Sequence, residues 1–404
     1  VDFAAVMERV RRVRVELSPY DSAARFRDLG LPHRRVEAWK WSDLRAALRE
    51  APGLAPKSRA EPGPRPAFDG LDAYEIIIEN GRSRLAGASV AAGLSIVATD
   101  GDGEGAVGSD DAVASLNAAH ATGGVLITVS DETELSKPIL IRYRSDAVGL
   151  SAARCRVVVE AGGSATLIEL YESPGEGAFV NCYTEIEVER GARLRRYVVE
   201  TSADDVVCLA VAGVRVGERA TFEQAVMTTG AALSRHEARI DLAGEGAGCA
   251  LASAFVGADG RHSDVTSFIR HDAEGGATRQ EHRAVLGARA RGVFQGKIKV
   301  ERGGQKTDGR MAAHSMLLNA SAEANAKPEL EIYADDVQCA HGATVGALDE
   351  GALFYMRSRG VPERDAKALL IDAFLADALD LVSEDAVRSE FERLARAAMD
   401  GRLA

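Results

Sequence analysis

Small-residue turns recur through the middle of this 404-residue chain at a nearly fixed interval. They are Gly163-Ser164-Ala165, Arg190-Gly191-Ala192, Glu218-Arg219-Ala220, Glu245-Gly246-Ala247, Gly275-Gly276-Ala277 and Arg302-Gly303-Gly304, and their last residues are 27, 28, 27, 30 and 27 positions apart. Between them lie short β-rich runs such as Arg156-Val157-Val158-Val159 and Glu185-Ile186-Glu187-Val188. Such a period restricts the chain to a solenoid. One lap cannot bury its own inward face, whereas stacked laps share a core and pair their strands edge to edge. The series opens at Tyr74-Glu75-Ile76-Ile77-Ile78 with a turn at Asn80-Gly81 and runs through Val125–Val129 to Leu330-Glu331-Ile332-Tyr333, ending near Val345. No long helical pattern intervenes over 150–345. With paired strands ~4.8 Å apart, roughly ten coils predict a rod on the order of 45–50 Å long. Aromatic residues are only 5% of a chain that is 46% hydrophobic, so the core must rest on Val, Ile, Leu and Ala.

The flanks have a different texture. Residues 1 to about 50 read as helical, broken at Leu31-Pro32, with Arg9, Arg11, Arg12 and Arg14 on a polar helix face and with Trp39 and Trp41 anchoring the segment on the body. Pro52, Pro56, Pro62, Pro64 and Pro66 mark an extended linker, because proline fixes φ and cannot donate a hydrogen bond. Beyond Leu348 a helix opens at Val361-Pro362-Glu363. Ala366, Leu369, Leu370, Ala373, Phe374 and Leu381 are expected on its apolar face. Ser383 can cap a second helix whose apolar face is Val387, Phe391, Leu394, Ala395 and Ala398. The expected division is a helical region with its linker over 1–73, a β core over 74–348 and a helical subdomain over 349–404, which can cap the solenoid or dock a partner.

A net charge of −12 argues against nucleic acid and anionic lipid as partners, since either needs a basic patch to release counterions. No apolar run approaches the ~18–20 residues of a membrane span. The start, Val1-Asp2-Phe3-Ala4, lacks the apolar stretch of a signal peptide, so a cytoplasmic protein is expected. Five widely spaced cysteines (Cys155, Cys182, Cys208, Cys249 and Cys339) without a C-x-x-C pair argue against disulfides and a closed zinc site. Cys155, Cys182 and Cys208 are 27 and 26 residues apart and are expected to stack in one column as small inward-facing residues.

Enzymatic signatures are missing. Gly296-Lys297 is followed by Ile298 rather than Ser or Thr, and no glycine stands at 291, so there is no phosphate loop. There is no G-x-S-x-G elbow. Asp335 and Asp336 are adjacent, so on a strand they point to opposite faces, and they read as a turn or edge feature. Cys339 and His341, two apart, project to one side of a strand with Cα atoms ~6.5–7 Å apart. A thiolate and an imidazole can together approach one iron or sulfur atom, but two ligands make a labile site that a second chain must complete. On residue chemistry alone, a buried cysteine beside a hydrogen-bonded histidine is the plainer explanation.

A longer set of residues bears on that choice. Gly296-Lys297-Ile298, Gln305-Lys306-Thr307-Asp308, Met316-Leu317-Leu318, Lys327-Pro328-Glu329-Leu330-Glu331-Ile332, Asp335-Asp336-Val337, Cys339 through Gly346 and Phe354-Tyr355-Met356-Arg357-Ser358-Arg359-Gly360 follow in order. With Arg35-Val36-Glu37-Ala38-Trp39-Lys40-Trp41-Ser42, this set resembles the SufB/SufD family of the SUF iron–sulfur cluster assembly system. The likeness is diffuse between about 50 and 290. Ala313 stands where the B-type subunit carries a cysteine, and the B-type lacks the Cys-x-His-Gly run at Cys339–Gly342, so the resemblance is to the D-type. His314 departs from the polar amide often found there.

The resemblance implies a mainly β protein, a right-handed parallel β-helix with helical segments at both ends. It implies a non-catalytic scaffold partnered by one SufB-type subunit and two copies of the SufC ATPase, which hydrolyses the ATP. The helical C-terminus would bind SufC, with Phe354, Arg357, Arg359, Leu370 and Phe374 as docking candidates. The β-helix would pair with that of SufB around a transient Fe–S cluster, with no stably bound cofactor. His341 is then the residue most implicated in assembly and in facing the metal, with Cys339 beside it, and ATP-driven SufC dimerisation would pull on the C-terminal helices and open the interface. A homodimer of the isolated chain stays open. The alternatives are a β-helix carbohydrate-active enzyme and a purely structural ATPase partner without cluster ligands.

Overall fold

The computed structural model describes residues 19–49, 51–57, 67–85, 89–101, 111–175 and 177–402. Arg9, Arg11, Arg12, Arg14, Pro62, Pro64 and Pro66 lie outside the described residues. The strands are β1 (Tyr74–Glu79), β2 (Arg82–Ser83), β3 (Ser89–Ala91), β4 (Leu94–Thr99), β5 (Gly124–Val129), β6 (Ile139–Arg144), β7 (Gly149–Val159), β8 (Ser164–Tyr171), β9 (Ala178–Val188) and β10 (Arg193–Glu200). They continue as β11 (Val207–Val216), β12 (Thr221–Thr228), β13 (Leu233–Leu242), β14 (Gly248–Gly257), β15 (His262–His271), β16 (Ala277–Leu286), β17 (Arg291–Val300), β18 (Thr307–Leu317), β19 (Glu323–Ile332) and β20 (Val337–Ala347). The helices are α1 (Pro19–Leu29), α2 (Leu44–Leu48), α3 (Ala112–His120), α4 (Glu350–Ser358), α5 (Glu363–Leu379) and α6 (Asp385–Arg402).

Successive strands alternate between two facing sheets. One has the order β2-β1-β6-β8-β10-β12-β14-β16-β18-β20, the other β19-β17-β15-β13-β11-β9-β7-β5-β4-β3. Each lap therefore contributes one strand to each sheet, which is a parallel β-helix. The turns show why the small residues recur. Gly162, Gly191, Arg219, Gly246, Gly275 and Lys306 all have positive φ, between 52° and 72°. That left-handed backbone aims each N–H at the next lap, where it donates to the carbonyl of Arg190, Glu218, Glu245, Glu274, Gln305 and Asp336 in turn. Glycine supplies this conformation without a Cβ clash, and Arg219 and Lys306 adopt it at a cost.

The inward faces form rows. Val157, Ile186, Val214, Ile240, Ile269 and Ile298 lie in one continuous register and are all buried. Burying such a side chain stabilises by about 1.5–3 kcal/mol, and stacked β-branched side chains fit the pleat. The outer face of the β13-containing sheet is covered by α3 and the segment 31–48, through Leu31, Trp39, Leu44, Val113 and Leu116. The outer face of the other sheet is covered by α5 and α6, whose Ile371, Leu375, Leu379, Val387 and Phe391 pack on Ile168, Leu170, Tyr197, Val199 and Met227.

Several expectations need correction. Both sheets contain ten strands, but their first members are antiparallel hairpin strands, so the parallel solenoid has about eight coils rather than ten. From β5 and β6 onward, residues paired between successive laps are 26 to 32 positions apart, as for Val207 with Leu233 and Arg291 with Glu323. Cys155, Cys182 and Cys208 share the inward face but not a column. Cys155 pairs with Thr184, Cys182 with Ala153 and Ala210, and Cys208 with Val180, so the thiols step diagonally by two residues per lap. Residues 30–43 are not helical apart from one short turn at Glu37–Trp39. Helix α4 was not foreseen; only Leu353 of it is buried, so its periodicity is weak. On α5 the buried face is Ala366, Ile371, Leu375, Ala378 and Leu379, while Leu369 is 53% exposed, because consecutive apolar residues left two faces open to choice. The Ser383 hydroxyl lies 3.2 Å from the Tyr197 hydroxyl, bonding the sheet, and α6 starts two residues later. Its apolar face is as expected, with Ala398 partly buried.

Candidate functional site

The last lap leaves β19 and β20 as the outermost strands of their sheets, with no strand beyond either among the described residues. Unpaired edges invite pairing with another chain. Large exposed apolar side chains gather in the same stretch: Ile332 at the end of β19 and Tyr333 just after it, Val345 on β20, and Phe354 and Tyr355 on α4.

Cys339 and His341 both lie on β20, in register with Gly309 and Met311. Met311 is buried in the terminal core cluster with Phe294 and Ile298, so the two site residues stand on the inward side of the strand. Their environments differ. The Cys339 Sγ rests over Gly309, where a Cβ would come within 3.3 Å of it, and packs against that terminal cluster. Burial pushes its thiol above the usual range, so the thiolate is disfavoured while β20 is seated. His341 is exposed and makes no hydrogen bond among the described residues. It lines, with Ala340 and Gly342, an open groove of about 780 Å³ whose floor is small residues and whose charged groups are Arg279, Glu281, Asp308 and Arg310. Among the described residues no three His, Cys, Asp or Glu side chains converge to hold a metal ion. A cysteine and a histidine on one strand can hold a metal or sulfide only with ligands from elsewhere.

The docking candidates are not one patch. Phe354 is 73% exposed. Arg357 is 3.3 Å from Glu363, and the Arg359 guanidinium lies over the Tyr355 ring. Leu370 is half-buried, and Phe374 is engaged within the chain, its ring under the Arg283 guanidinium at 5.0 Å. Asp335 and Asp336 form the bend between β19 and β20, as expected. Gly296-Lys297-Ile298 lies within β17, not in a phosphate-binding loop.

One polar cluster went unread in the sequence. The fully buried Ser42 donates to Asp264 Oδ2 at 2.5 Å and its hydroxyl is 3.0 Å from His262 Nε2. Asp264 also receives Arg235 Nη1 at 2.6 Å and the Thr266 hydroxyl at 2.9 Å. Arg235 stacks over Trp39 at 4.3 Å, Gln295 donates to the Ala38 carbonyl at 3.2 Å, and Lys327 reaches Glu37 at 2.8 Å. Residues 37–42 thus lie across β13, β15, β17 and β19. The two sides of the lock are some 220 residues apart in the chain, so only the fold brings them together.

Residues 142–374 match the family described as SUF system FeS cluster assembly, SufBD core domain. The chain belongs to the SufB/SufD family. It is 28% identical to the iron-sulfur cluster assembly protein SufD of Escherichia coli, over 89% of this chain and 88% of that protein. It is 30% identical to a SufBD family protein of Synechocystis over 68% of this chain and 63% of the relative, and 26% identical to one of Mycobacterium bovis over 91% and 88%. It is an iron–sulfur cluster assembly protein and a SufD homologue. Such proteins are named for assembly rather than for catalysis, in keeping with the missing phosphate loop. Among the described residues no helix is long and apolar enough to cross a membrane.

Proposed function

We propose that this chain is the D-type scaffold subunit of an iron–sulfur cluster assembly complex. Through its open end it pairs with a SufB-type subunit, and through α4 to α6 it docks a SufC-type ATPase, which hydrolyses the ATP. His341, with Cys339 beneath it, contributes to a cluster that is cargo of the assembled interface rather than a resident cofactor. The work is cytoplasmic and involves neither nucleic acid nor membrane.

The observation that carries this reading is an exposed imidazole on a terminal strand with one open edge, beside a partly buried thiol on the same face of that strand. Two donors are too few for a cluster, and a partner strand beside β20 would bring the rest. The exposed apolar residues on the same strands and on α4 support docking there. Chemically, His341 can donate a neutral ring nitrogen to iron, and Cys339 can add a thiolate once released from the terminal cluster.

The test is cluster formation in the reconstituted three-component complex with His341→Ala. The expected result is a loss on the order of tenfold or more with the complex still assembled. Cluster formation at the unaltered rate would leave this chain a structural partner only.

A further inference from the structure

The inward row that ends at His341 is polar where a solenoid core is normally apolar. Read back along the ladder, its members are Met311, Gln280, Leu251, Gln224, Arg196 and Leu167. Arg196 pairs with Glu169 and donates to Gln224 Oε1 at 2.6 Å, and the Thr184 hydroxyl donates to Glu169 Oε1 at 2.8 Å. Beside this row the Ser253 hydroxyl meets His282 Nδ1 at 2.7 Å, and the Ser267 hydroxyl donates to Gln280 Oε1 at 2.6 Å. All these side chains are at least nine-tenths buried.

Some atoms of the network are left over. Gln280 Nε2, Arg196 Nε and both ring nitrogens of His236 have no hydrogen-bond partner among the described residues. Unpaired buried donors and acceptors are costly, and in folded proteins such groups are almost always met by protein or by ordered water. Next to Gln280 there is a cavity of about 10 Å³, whose wall includes Gln224, Ser253, Ser267 and Gln280, with Thr266, Glu281 and apolar residues completing it. That is the size of one water molecule, which needs about 10–15 Å³ and two to four polar partners. Gln280 Nε2 can donate into it and the Ser253 oxygen can accept from it. His236 stands on the facing sheet, and burial, with the Arg196 charge second, pushes its imidazole down to about 3, so its neutral ring offers one acceptor and one donor.

We propose that the solenoid interior holds one ordered water, in the Gln224–Ser253–Ser267–Gln280 cavity, which continues the polar seam of Arg196 and Gln224 to Gln280. Met311 with Phe294 closes the seam toward the open end, one lap beneath His341. No partner protein enters this inference, so its outcome is independent of the proposed assembly role.

The test is a crystal structure of the full chain, at a resolution that shows ordered water, of the wild type and of Gln280→Met. Expected is one density peak within hydrogen-bond distance of Gln280 Nε2 in the wild type, absent in the variant, with the melting temperature retained. An empty cavity in the wild type overturns the proposal, as does a Gln280 amide turned so that Nε2 donates to Ser267. If Gln280→Met does not fold, Ser253→Ala decides: it removes an acceptor from the cavity, and a peak of undiminished occupancy there would overturn the proposed polar cradle.

Discussion

The two ends of the solenoid are finished differently. At the start, β2 folds back antiparallel on β1, β4 lies antiparallel beside β5 and β3 antiparallel beside β4, so the chain covers its own first lap. Ile76, Ile78, Leu94 and Ile96 are consequently no more than 2% exposed. At the finish no strand among the described residues pairs beyond β19 and β20, and Ile332, Tyr333 and Val345 stand 40–52% exposed. Both ends carry aliphatic strand residues, so composition does not decide which edge is closed. The hairpin at Asn80-Gly81, with both residues at positive φ, does so at one end. The other end has no such hairpin among the described residues, and its edge is where the proposed partner would pair.

The contrast can be broken most forcefully in the body between the ends. Asp264→Ala removes the acceptor of Ser42, Arg235 and Thr266 and leaves Glu237 to face the buried Arg235 alone, and the expected loss is about 3–5 kcal/mol in urea denaturation. A loss below about 1 kcal/mol would mean that the segment 37–42 is not locked as described. Next come matched truncations of the two ends. Ile78→Ala at the covered end is expected to cost about 2–5 kcal/mol, and Val345→Ala at the open end less than about 0.5 kcal/mol. Equal losses would erase the distinction.

A gentler probe is pH. Burial raises the Glu200 carboxyl from 4.5 to about 7. Between those values the folded chain binds a proton that the unfolded chain has released, so this group's contribution to stability falls as pH rises from about 4.5 to 7. Glu200→Gln is expected to flatten that slope in denaturation curves taken across the interval; an unchanged slope would place Glu200 in a wetter setting. The smallest stability effect, within about 0.5 kcal/mol, is expected for His341→Ala, since His341 is exposed and makes no hydrogen bond among the described residues.

What could be read in the sequence was what depends on local rules. The turns showed because left-handed positions favour glycine, and they recur once per lap. Cys339 and His341 could be put on one face because a strand alternates with period two. The diagonal of Cys155, Cys182 and Cys208 could not be read, because the cysteines are 27 and 26 residues apart whereas the ladder between their strands is in register at 29 and 28, two more each time. The unequal burial of Cys339 and His341 depends on Gly309 and Met311 one lap below. The Ser42–Asp264 lock and the seam of Arg196, Gln224 and Gln280 are products of stacking, and nothing local marks those residues as inward or buried. Leu369, Leu370 and Ile371 in sequence left the face of α5 to be chosen by the sheet it covers.

The decisive measurement is amide hydrogen exchange on the full chain, alone and with a SufB-type subunit. Pairing at the open end predicts strong new protection over β20, Val337–Ala347, with no change over β1 and β2. Unaltered exchange in β20 within a stable complex, or protection confined to the covered end, would contradict it.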